Sequence, residues 1–126
     1  MRVAVIISEL MLFSRIEAAT AAAGASLVRL DSPVGLPVGN IDLALVDWSA
    51  REPDWAAHLA EWRVRAGGAR LILFGRHTDL QAHADARAAG LGPMWARSKL
   101  VAELSKLVAA SSGAHPRPET PRARGR

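Results

Sequence analysis

The chain contains no cysteine, which excludes disulfide frameworks, thiolate zinc sites and thiol nucleophiles together. Aromatic residues make up only 5% of its 126 residues. None of them stands in the basic C-terminal stretch, so the interleaved pattern of a single-strand nucleic-acid binder is missing there. No apolar run approaches the roughly 18 residues of a membrane span. Residues 3–13 are apolar and follow Arg2, but Glu9 interrupts them and Arg15 and Glu17 follow at once. A secretory leader does not carry such charges, so a cytoplasmic chain without membrane contact is expected. No Gly-x-Gly-x-x-Gly follows the first apolar run, which argues against dinucleotide binding of the Rossmann kind.

What is present is ordinary globular composition, 50% hydrophobic and 22% charged, at one domain's length. The formal net charge of +4 is unevenly spread. Residues 111–126 hold four arginines against Glu119, a net +3, and leave only +1 to residues 1–110. The basic balance therefore describes a tail rather than a fold, and nucleic acid is not the expected partner. The tail also carries three prolines and no large apolar residue, so it cannot contribute to a core and is expected to be disordered.

Residues 3–7 form a continuous, mostly β-branched apolar run, as in a strand buried on both faces. Residues 10–24 follow with helical spacing of Leu12, Ile16 and Ala19, and stop at Gly24. Further strands are expected at 27–30, 41–46, 71–74 and, briefly, 94–96. Pro53 opens a helix to about Ala66 before Gly67–Gly68. Thr78 and Gln81 make a capping-box pattern for the next helix. Ser98 caps a last one, in which Leu100, Leu104, Leu107 and Val108 share a face.

Buried strands alternating with helices predict an α/β fold with a parallel sheet covered on both faces. One crossover is defective. Residues 33–41 are too rich in proline and glycine for a helix. The ten steps from Ser32 to Asp42, fully extended, reach roughly 33 Å, enough for a strand length and two strand spacings. The second helix is thus expected to be replaced by an extended loop.

Five strands with interleaved helices, the third ending in Asp47, resemble the receiver domain of bacterial two-component response regulators over residues 2–110. The resemblance implies a flavodoxin-like, five-stranded sheet in the order 2-1-3-4-5. It also maps a phosphoryl site. Receivers hold Mg²⁺ with an acidic pair after strand one, where this chain has Ser8-Glu9. Their phosphoacceptor aspartate ends strand three, where Asp47 stands. Strand four ends in Thr or Ser, and here in Gly75. Strand five ends in Lys-Pro, and here in Arg97-Ser98. Pro53 lies six residues after Asp47 rather than about four, and Trp48 follows the aspartate directly, so its indole is expected in the candidate pocket with Ser8, Glu9, Gly75 and Arg97.

Phosphoryl transfer to a carboxylate needs a cation and aligned donors. Gly75 offers no hydroxyl, Ser8 at most a neutral ligand, and Arg97 a planar charge unlike lysine's. Glu9 and Asp47 supply two carboxylates if Mg²⁺ is retained. Asp47 is therefore either a phosphoacceptor or a strand-end carboxylate paired with Arg97. Glu9 is either a metal ligand or an acid at a helix N-terminus.

Trp55, Leu59 and Trp62 form one helical stripe, which is either core or, beside the missing helix, a docking face. His77 and His83 lack the i, i+4 spacing of a helical metal pair.

These residues predict a pseudo-receiver: a stand-alone signalling module without catalysis of its own, acting on another signalling protein or its own copy. By resemblance, residues 79–97 and 99–110 are its output face. The alternatives are a working phosphoreceiver using Asp47 with Mg²⁺, and a nucleic-acid-associated protein using its tail.

Overall fold

The computed structural model describes residues 1–113. Its strands are β1 (Arg2–Ile6), β2 (Ser26–Leu30), β3 (Leu43–Asp47), β4 (Arg70–Gly75) and β5 (Trp95–Ala96). The helices are α1 (Leu10–Ala22), α2 (Trp55–Arg65), α3 (Leu80–Ala88) and α4 (Arg97–Gly113). All strand pairs are parallel, and the sheet runs β2-β1-β3-β4-β5. This is the expected flavodoxin-like order. The last helix continues past the expected boundary at Ala110 to Gly113. Residues 114–126, most of the expected disordered tail, lie outside the described residues.

Side chains alternate across a strand, so each strand feeds both faces of the sheet. Ala4, Ile6, Ala44, Val46 and Leu73 meet α2 and α3 on one face. Val3, Val5, Leu43, Leu45, Ile72 and Phe74 meet α1 and α4 on the other. Every residue of β3 is buried, as expected for the central strand of a doubly covered sheet.

The loop between β2 and β3 takes the place of a helix. It opens with a short 3₁₀ turn at Pro33–Gly35 and turns again at Asn40, whose φ is +67°. It does not leave the sheet bare. Leu36 and Ile41 are buried in the same cluster as Trp55, Leu59 and Trp62. The Trp62 Nε1 donates to the Pro37 carbonyl at 2.7 Å. The stripe Trp55–Leu59–Trp62 is thus core, one of its two expected readings, and the other, a docking face, is corrected: the loop covers what the missing helix would have covered. Burying Leu36 contributes on the order of 2 kcal/mol, one part, with Ile41 and the Trp62–Pro37 bond, of what holds the segment on the sheet.

Two helix starts also differ from expectation. Asp79, rather than Thr78, caps α3, with its carboxylate accepting from the Ala82 amide. Ser98 lies inside α4, which begins at Arg97. The β5 strand keeps only two residues because Gly92, at φ +89°, and Pro93 turn the chain just before it. Proline has no amide to offer a ladder.

Candidate functional site

The C-terminal ends of the parallel strands bring Ser8, Asp47, Gly75 and Arg97 to one edge of the sheet. Loops at this edge form the usual binding crevice of open α/β sheets. Asp47 closes β3, and its side chain is only 4% exposed. Burial pushes its carboxyl above the ordinary 3.8. The Arg97 guanidinium opposes this, as do the Ser49 amide, Arg76 and the Ala50 amide.

Arg97 reaches Asp47 at the start of α4, with its terminal nitrogen 3.6 Å from Oδ2. That separation is electrostatic contact rather than a hydrogen bond. The second carboxylate oxygen, Oδ1, is buried with no hydrogen-bond partner among the described residues, and so is Arg97 Nε. The Ser49 and Ala50 amides lower the carboxyl's pKa without closing a hydrogen bond on Oδ1. Asp47 lines a cavity of about 190 Å³ with Ile6, Ser8, Asp31, Glu52 and Trp55.

Gly75 is packed tight. A Cβ there would collide with the Ser49 hydroxyl and lie 2.8 Å from Met94 Sδ. Ser49 Oγ also accepts from the Arg76 amide at 3.0 Å. The loop after Asp47 therefore inserts a hydroxyl where a side chain on the last residue of β4 would begin. Sequence reasoning missed Ser49, because nothing along the chain links it to a glycine 26 positions later.

Glu9 does not join Asp47. Its carboxylate caps α1, with Oε2 accepting from the Met11 amide at 2.8 Å and Oε1 from Leu12 at 3.1 Å. Both oxygens are committed to orphan helix amides. Asp31, almost fully exposed, turns toward Arg29 at 3.8 Å. Among the described residues no group of three His, Asp or Glu side chains is arranged to hold a metal ion. The residues present do not fit an Mg²⁺ site built on Glu9 and Asp47.

Trp48 is adjacent to Asp47 in sequence but belongs elsewhere, a second correction. It is buried, and its Nε1 donates to the Ala82 carbonyl of α3 at 2.9 Å. The Arg51 guanidinium lies 5.3 Å from its ring centroid and pairs with Asp85. Hydrogen bonds from Arg51 and Gln81 hold the Asp85 carboxyl below its ordinary range. Trp48, Arg51, Pro53, Ala56, Asp85 and Ala89 line a separate groove of about 640 Å³ between α2 and α3.

No protein-family model matches the chain, and no curated protein matches its sequence. Solved structures do match its fold. A response regulator receiver domain protein from Clostridium thermocellum superposes with a TM-score of 0.65 at 16% identity, over 90% of this chain and 94% of that one. The receiver domain of Nitrogen Regulatory Protein C, in its BeF3-activated form, gives 0.63 at 22% identity, over 91% and 96%. A response regulator receiver protein from Burkholderia phymatum gives 0.60 at 19% identity, over 89% and 94%. The chain has the receiver fold, and the resemblance read from the ends of its strands holds at that level.

Proposed function

We propose that this chain is a receiver-like signalling module that works by protein–protein contact, with a strand-end aspartate that no longer accepts a phosphoryl group. The observation that carries the reading is the closed geometry around Asp47. Its carboxylate is buried and faces Arg97, while the Ser49 hydroxyl and Met94 fill the space beside Gly75. An in-line attack on a phosphodonor needs an accessible carboxylate oxygen and a cation to collect the donor's charge. Here the carboxylate lies inside the fold, and Glu9, the acid at the receiver metal position, caps a helix instead.

Such a module carries its information in what it binds. It performs no catalysis of its own in this account. The receiver-like fold supports a cytoplasmic setting, with another signalling protein or a second copy as the partner.

One observation favours a working phosphoreceiver instead. Asp47 Oδ1 has no partner and Asp47 lines a cavity, so a group delivered there would meet an unsatisfied oxygen. Incubation with acetyl phosphate and Mg²⁺, read by intact mass, separates the two. The proposal expects no phosphoryl adduct. An adduct present in the wild type and lost in Asp47→Asn sinks it.

A further inference from the structure

The shortness of β5 leaves part of the sheet open. Strand β4 has six residues, but only Phe74 and Gly75 pair with β5. No backbone hydrogen bond joins residues 70–73 to residues 91–94. A groove of about 320 Å³ runs along this stretch, with Arg70, Leu71 and Ile72 as one wall. Leu91, Gly92, Pro93 and Trp95 form the other, and Arg63 stands at the mouth.

We propose that this groove receives an extended, acidic peptide segment of a partner protein, which adds a short strand beside β4 where a longer β5 would have lain. Two independent features point to that occupant. The first is the unpaired strand edge, which reaches the surface at Arg70 and Leu71 while Ile72 and Leu73 are buried: main-chain groups there are satisfied by an extended backbone, as in other strand-addition complexes. The second is charge. Arg63 and Arg70 are exposed, and neither pairs with a carboxylate among the described residues. Arg63 donates one bond, to the Gly90 carbonyl at 3.1 Å, which aims its guanidinium along the loop that forms the groove's far wall. Two guanidiniums without a carboxylate partner, beside an unpaired edge, select for carboxylates. The half-buried Leu71 and Trp95 give the peptide's alternate side chains an apolar surface.

Gly92 and Pro93 set the device. They hold the chain off β4 for the length of the groove and return it at Trp95. The loop therefore forms a wall and does not close the edge itself.

The groove lies away from Asp47 and names a contact for the module proposed above, so its failure leaves the reading of Asp47 standing. The test uses the full chain against a displayed library of random ten-residue peptides. Enriched peptides are synthesised and titrated against wild type and against Arg63→Glu/Arg70→Glu, both exposed positions whose change spares the core. The proposal expects acidic peptides that lose at least about tenfold in affinity on the charge reversal. It also expects slowed amide exchange within residues 70–73 on binding, which loose electrostatic attraction to the surface does not produce. Enrichment of peptides indifferent to the double change, binding without protection of those amides, or no enrichment at all overturns it.

Discussion

The hydroxyl of Ser49 occupies the space into which a side chain on Gly75 would project. The same oxygen accepts from the Arg76 amide, so one atom ties the loop after β3 to the end of β4. A glycine is required here by crowding, since its backbone lies outside the left-handed region.

Restoring a receiver-like residue should therefore damage this protein. Gly75→Thr must displace Ser49 or Met94, and such overpacking costs about 1–3 kcal/mol. Urea unfolding should show the loss, and adding Ser49→Gly should recover part of it. A Gly75→Thr variant as stable as the wild type would show that the space is not filled as described.

The buried Asp47 gives stability a pH dependence of definite sign. Its folded-state pKa is raised above 3.8 by burial, so the folded state holds the proton more tightly than the unfolded one. Stability then falls as pH climbs from 3.8 through the raised value, and stays at the lower level above it. Asp47→Asn removes this fall, so its stability relative to wild type should improve from pH 4 to pH 7. Asp85, whose carboxyl is lowered, contributes the opposite slope in both proteins and cancels from the comparison. Urea denaturation at several pH values checks it, and a constant difference between the two proteins counts against a raised Asp47.

The loop that replaces a helix depends on Trp62. Trp62→Phe keeps the ring in the core but loses the bond to Pro37, at a cost of about 1 kcal/mol. Leu36→Ala leaves a cavity in the same cluster and costs about 2–5 kcal/mol. In both variants, amide exchange should quicken most in residues 33–41. Uniform quickening across the sheet would mean the loop is not held as a separate unit.

Much of the fold was legible because its signals are local. The apolar runs at β1, β3 and β4 announce a doubly covered sheet, and the Pro/Gly run at 33–41 announces a missing helix. The site was legible only in part. Asp47 and Arg97 could be placed by the ends of their strands, and they do meet. Glu9 could not, since a carboxylate beside a helix start serves a cap or a metal equally well until its neighbours are fixed. Trp48 misled because adjacency in sequence says little about direction: at the end of a strand the next side chain turns to the opposite face. The Ser49–Gly75 contact joins distant positions and has no sequence signature. The Thr78–Gln81 pattern failed because Asp79, one residue on, offers a better cap.

The central claim is that the Asp47 site is closed to metal and phosphoryl. Titrating Mg²⁺ and then beryllofluoride, while following the Asp47, Ser49 and Arg76 amide resonances in wild type and Asp47→Asn, tests it most directly. The account predicts no saturable shift at these amides in well-folded protein. A saturable shift that disappears in Asp47→Asn would contradict it, and would show that the carboxylate still collects a cation and a phosphoryl mimic.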